Sequence, residues 1–225
     1  MDAADVPQAE IDTAFRFIRR VNRWLGGAAS CIDVFRRERP TWPSDRPIRW
    51  LDLGTGAADI PLAVDRWAER RGIRVECVAV DHHPACLEVA RAAVGNHPRI
   101  RVEDADALSL DARYPAWSFD YVHAGMFLHH LADDDVIRVL RSMGRLATRG
   151  VIWNDLLRSS WSHWAIRAVT IGQPAIVRDD ATLSVAKGFT PTDAREAARW
   201  AGLDRVQVRV RRLVGRFVLT ARRSS

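Results

Sequence analysis

The chain nearly lacks lysine: of its 34 basic residues only Lys187 is one, and the rest are arginine. That skew reads as the codon usage of a GC-rich genome. The arginines are spread among acids rather than gathered into a stripe with interleaved aromatics, so the net charge of +6 is weak support for a nucleic-acid partner. Cysteine is scarce as well. Cys31, Cys77 and Cys86 make neither a CxxC pair nor an even disulfide set, which fits small core residues in a reducing cytoplasm. No apolar run approaches the roughly 18–20 residues needed to cross a bilayer, so no stable membrane insertion is expected. The start, Met1-Asp2-Ala3-Ala4-Asp5, is acidic and lacks the basic-then-apolar order of a secretory signal. Internal repeats and low-complexity tracts are absent. What remains is the length and balance of one α/β domain with a proper core.

Tryptophan is abundant. Of nine, Trp24, Trp42, Trp50, Trp161 and Trp164 fall in or near segments that could roof a pocket for a flat apolar substrate, or simply pack. Residues 10–37 place Ile11, Phe15, Ile18, Val21, Leu25, Ile32 and Phe35 at helical spacing, broken at Gly26-Gly27. This predicts two amphipathic helices capping the domain over residues 1–47, closed by a proline-rich linker from Arg39 to Pro47. From residue 48 strands and helices alternate. Strands are expected over Ile48–Leu53, Arg74–Val80, Ile100–Glu103, Phe119–Ala124 and Gly150–Asp155. Helices are expected over Ile60–Arg71, Pro84–Val94 and Asp133–Leu146, and one starts near Pro191. Such alternation indicates a parallel sheet covered on both faces. Leu203–Leu213 and Arg216–Ala221 instead alternate charged and apolar residues, the period of a half-exposed antiparallel hairpin.

The run Asp52-Leu53-Gly54-Thr55-Gly56 joins the first strand to the first helix of the series. Its glycines permit a tight turn and a close ligand approach, and the helix end behind it suits a carboxylate or a phosphate. Asp81 ends the second strand and can accept hydrogen bonds from both hydroxyls of a ribose, with His82 placed against a purine face. A carboxylate in Glu103-Asp104-Ala105-Asp106, with a backbone N–H beside it, could read the amino edge of adenine. Asp104 is preferred and Asp106 is the fallback. These pieces alone admit NAD or a nucleoside-type cofactor.

Together they resemble the class I S-adenosylmethionine-dependent methyltransferases over roughly residues 48–222. Asp52-Leu53-Gly54-Thr55-Gly56 resembles their first motif, with Ala58 where a third glycine is common. Asp81 resembles the ribose acid and Asp104-Ala105 the adenine-reading pair. The stretch from Phe119 through Ala124 to His129-His130-Leu131 resembles their fourth strand and its continuation. The resemblance implies a Rossmann-like sheet of seven strands, doubly wound, mostly parallel and ending in an antiparallel hairpin. It implies S-adenosylmethionine as cofactor, S-adenosylhomocysteine as product and no metal. Asp52, Gly54, Thr55, Gly56, Asp81, His82, Asp104, Ala105 and Ala124 would line the cofactor. Trp153-Asn154-Asp155 is similar to a bacterial group acting on small molecules of polyketide or quinone pathways.

Methyl transfer from a sulfonium needs mainly alignment and exclusion of water. A phenolic acceptor, with a pKa near 10, gains from a nearby base. His129 is the expected base and His130 a packing or orienting residue, while His123, inside the fourth strand, reads as buried structure. An insertion over about 156–190, with Arg158, Trp161, His163 and Trp164, is expected to cover the acceptor together with Trp24. Arg158 either anchors an acidic or phenolate group or pairs with Asp155 or Asp179. The expected activity is O-methylation of a small aromatic hydroxylated acceptor, with C-methylation of a related ring close behind. A dehydrogenase, an RNA or protein methyltransferase, and a non-methylating protein of the same fold are the alternatives, and a homodimer is left open.

Overall fold

A computed structural model describes residues 27–172 and 175–223. The helix expected over residues 10–25, and with it Trp24, lies outside the described residues. In chain order the elements are α1 (Gly27–Glu38), β1 (Ile48–Leu53), α2 (Asp59–Glu69), β2 (Val75–Asp81), α3 (Pro84–Val94), β3 (Ile100–Asp104) and a short α4 (Leu110–Arg113). Then come β4 (Phe119–Gly125), α5 (Asp133–Leu146), β5 (Ala147–Leu156), α6 (Ser160–Val169), α7 (Ala175–Ala186), α8 (Pro191–Trp200), β6 (Leu203–Arg211) and β7 (Arg216–Arg223).

The strands form one seven-stranded sheet in the order β3-β2-β1-β4-β5-β7-β6. β1 to β5 are mutually parallel, while β7 runs antiparallel between β5 and β6. The doubly wound sheet with a closing antiparallel hairpin therefore stands as the sequence pattern indicates. Period-2 alternation splits the core in two. Leu51, Leu53, Val122 and Ala124 pack with Val136, Val139, Leu140 and Met143 of α5 and Ala194 and Ala198 of α8. Trp50 and Tyr121 pack on the opposite face with Phe35 of α1 and Val64 and Trp67 of α2. Asp52 and His123 share the direction of Trp50 and Tyr121 along their strands, so they face α1 and α2.

Several boundaries shift. β5 starts at Ala147, earlier than expected, because Phe119 of β4 already pairs with it. β6 stops at Arg211, where a 3-10 turn over Arg212–Val214 and a left-handed Gly215 (φ 60°) close the hairpin. Residues 156–190 hold the helices α6 and α7, which the apolar pattern did not resolve. Their large side chains Trp161, Trp164, Val169 and Leu183 are exposed, so burial imposes no clear period there.

The linker is not loose. The Trp42 indole N–H donates to the Tyr121 hydroxyl at 3.0 Å. Arg46 grips the buried Asp120 through two hydrogen bonds of 2.7 Å. Burial pushes the Asp120 carboxyl up, but Arg46, the Arg49 amide and Arg149 outweigh it and hold it below the ordinary carboxylate range.

Candidate active site

β1 delivers the chain into a turn at the carboxyl edge of the sheet, where open α/β sheets hold their ligands. Gly54, Gly56 and Ala58 all take positive φ, at 61°, 56° and 55°. At Gly54 a side chain is excluded, since a Cβ would stand 2.5 Å from the Phe127 ring. At Gly56 a Cβ would meet nothing within 4 Å among the described residues, which leaves that face of the turn room for a ligand. Ala58 caps α2 in the left-handed region at a cost of about 1 kcal/mol, and its methyl is fully buried.

The turn is tied down from below and from the side. Asp52 is buried; it accepts the Thr55 hydroxyl at 2.8 Å and lies 2.5 Å from Nδ1 of His123. Asp81 accepts the Gly56 N–H at 2.9 Å and, on its other oxygen, the His82 and His83 N–H groups at 2.9 and 3.0 Å. Burial and the Asp81 carboxylate push the neighbouring Cys86 thiol up to about 12, so it stays neutral beneath the acid. His82 turns its Nδ1 toward Asp104 at 3.3 Å. The Ala105 N–H donates to the Asp81 carbonyl at 3.0 Å and continues the β2–β3 ladder. Asp106 accepts the Leu108 N–H at 2.9 Å and so shapes the loop that follows. The structure thus brings Asp52, Gly54, Thr55, Gly56, Asp81, His82, Asp104 and Ala105 to one edge, with Ala124 buried beside them in β4.

After β4 a 3-10 turn over Leu128–His130 carries the two histidines. His129 is buried, its Nδ1 2.7 Å from Asp155, whereas His130 is exposed with its ring 4.1 Å from that of His129. Burial raises the Asp155 pKa, but the charge and hydrogen bond of His129, the Trp153 indole and the Leu156 amide lower it more, so the carboxyl lies below its usual range. Arg216, at the start of β7, is wholly buried. Burial lowers its pKa to about 10 against the opposing pull of Asp155 and Asp59.

Arg158 pairs with neither Asp155 nor Asp179. It donates at 2.7 Å to Asp193, whose carboxylate also closes the capping box of α8 with Thr190. A groove of about 490 Å³ between α6 and α7 is lined by Arg158, His163 and Trp164 among others. Trp161 is not in that lining, and neither is any residue of the glycine turn. The sequence pattern leaves Phe127 and Arg216 unmarked, and marks Cys86 only as a small core residue and His123 only as buried structure. Only the shared register of β1 and β4 brings His123 to Asp52, and no local spacing reports that.

Residues 51–150 match the family model described as a methyltransferase domain. The seven-stranded sheet with its closing antiparallel hairpin is the fold of the methyltransferase structures on which the chain superposes. The CurJ carbon methyltransferase superposes with a TM-score of 0.71 at 14% identity, over 97% of this chain and 60% of that one. A protein of Nostoc punctiforme PCC 73102 assigned as an O-methyltransferase gives 0.64 at 20% identity, over 92% and 59%. Human N-acetylserotonin methyltransferase, solved in complex with SAM, gives 0.62 at 14%, over 94% and 55%. The chain therefore spans less than two thirds of the length of these structures. No curated protein sequence matches it. Among the described residues no group of His, Cys, Asp and Glu could hold a metal ion, and no helix is long and apolar enough to cross a membrane.

Proposed function

We propose that the protein transfers a methyl group from S-adenosylmethionine to a small, aromatic, hydroxylated acceptor, with O-methylation as the first reading. The observation that carries the cofactor half is the Gly54–Gly56 turn. It is open at Gly56, backed by the N-terminus of α2 and tied through the Gly56 N–H to Asp81. A helix N-terminus suits the carboxylate of an amino-acid tail. The Asp81 oxygens keep lone pairs for ribose hydroxyls beyond their backbone donors. Because the Ala105 N–H is spent on Asp81, the adenine-reading amide in this reading is that of Asp106, beside the Asp104 carboxylate. When bound, the cofactor supplies an activated methyl group. The protein orients the acceptor, excludes water and receives the acceptor's proton.

An imidazole that receives this proton must be reachable. His130 is exposed, whereas His129 is buried with its Nδ1 on Asp155, so burial favours the order opposite to the one expected from sequence. His130 takes the proton, and His129 fixes the turn that presents it. Residues 156–190 serve as the acceptor cover, with His163 and Trp164 facing the α6–α7 groove. C-methylation is the second reading, supported by the CurJ carbon methyltransferase, which matches 97% of this chain. Incubation with S-adenosylmethionine and a panel of phenols, hydroxyquinones and aromatic polyketides, read by S-adenosylhomocysteine release and product mass, tests the proposal. Methylation at oxygen is expected. Transfer to ring carbon would favour the second reading, and no turnover across the panel would contradict the acceptor class.

A further inference from the structure

Asp52 and His123 occupy paired positions on the adjacent parallel strands β1 and β4. His123 is fully enclosed, and its Nδ1 stands 2.5 Å from one oxygen of Asp52. The other oxygen accepts the hydroxyl of Thr55, the residue between the two turn glycines. Trp50 meets the imidazole edge-on at 6.0 Å. Gly125 makes room for the ring: a Cβ there would lie 2.7 Å from the His123 Cε1. Among the described residues Nε2 has no hydrogen-bond partner, whereas Nδ1 faces a carboxylate and carries the N–H of that contact.

We infer that His123 is a positioning residue for the cofactor turn, holding Asp52 so that Asp52 can hold Thr55. The inference rests on reading that turn as the cofactor seat. Asp52 is only 2% exposed, so water cannot replace a lost partner. Without the imidazole the buried carboxylate keeps, among its described side-chain partners, the Thr55 hydroxyl and must reorient toward other donors. That change moves Thr55, and with it the peptide groups on which the cofactor tail would rest. Phe127 stands against the same turn at Gly54, so the end of β4 and the segment after it brace the side of the turn nearest β1.

Calorimetry of the full chain with S-adenosylhomocysteine tests the link. Folded His123→Leu is expected to lose about tenfold or more in affinity, the scale of a hydrogen bond to a charged group. His123→Asn places an amide N–H where Nδ1–H stood and is expected to stay within about threefold of the parent. A purely structural histidine would change the melting temperature and leave the affinity of the folded protein alone. Parental affinity in folded His123→Leu, or about a tenfold loss in His123→Asn, overturns the inference. If His123→Leu does not fold, Thr55→Val cuts the other end of the relay: about a tenfold loss is expected, and parental affinity overturns the inference. Failure of the parent protein to bind S-adenosylhomocysteine would instead overturn the cofactor reading, so the two failures are distinguishable.

Discussion

At the scale of single residues, the two adjacent histidines have opposite surroundings. His129 shares a buried network with Asp155, the Trp153 indole and the Leu156 amide, while His130 is exposed. His130→Ala is expected to lower turnover about 10²–10⁴-fold, the usual worth of general-base assistance, without weakening S-adenosylhomocysteine binding. His129→Ala leaves the Asp155 charge without its principal partner and is expected to cost about 3–5 kcal/mol of stability, read by chemical denaturation. Unchanged turnover in His130→Ala would show that orientation alone carries the rate. The sequence displays both imidazoles but not this division. The partner of His129 is 26 residues further on, at the end of β5. Asp155 is visible in Trp153-Asn154-Asp155 as a motif, yet nothing local says which side chain it meets. The same holds for Arg158, whose partner Asp193 belongs to the cap of a later helix.

At the scale of elements, most of the strands and helices were legible because each buries one face or both against a central sheet. β1, α3 and α5 run as the pattern places them, from Ile48 to Leu53, Pro84 to Val94 and Asp133 to Leu146. The α6–α7 segment was not legible, since its large apolar side chains Trp161, Trp164 and Leu183 are exposed rather than packed on the sheet. Gly54 shows how an element end is locked. Gly54→Ala adds a Cβ 2.5 Å from the Phe127 ring at φ 61°, and is expected to destabilise by about 1–3 kcal/mol and to weaken cofactor binding. Parental stability in that variant would mean that Phe127 yields without cost. The linker lock is an element-scale feature as well. The Asp120 pKa is held down in the folded chain, so its stabilising contribution is complete above the ordinary carboxylate pKa. That contribution is lost as pH falls through the lower, folded value. Melting temperature should therefore fall on acidification below about pH 4, and fall less steeply in Asp120→Asn. Equal slopes in the two proteins would show that Asp120 does not link folding to pH.

At the scale of the whole molecule, one edge of one sheet gathers what the sequence disperses from Asp52 to His130. Asp52, Asp81, Asp104 and the His129-His130 turn follow four successive strands, and parallel winding brings all four carboxyl ends together. This is why the residues proposed to hold the cofactor stand out as motifs, each at a strand end. The residues proposed to cover the acceptor lie on and beside α6 and α7, whose neighbours are set by packing rather than by local spacing. The central claim is that the glycine turn seats S-adenosylmethionine with Asp81 as its tether. Calorimetry on the parent protein and on Asp81→Ala, with S-adenosylhomocysteine and with NAD, tests it most directly. The account predicts heat with S-adenosylhomocysteine, none with NAD, and a loss of about tenfold or more in Asp81→Ala. Binding of NAD with no response to S-adenosylhomocysteine, or an undiminished affinity in Asp81→Ala, would contradict it.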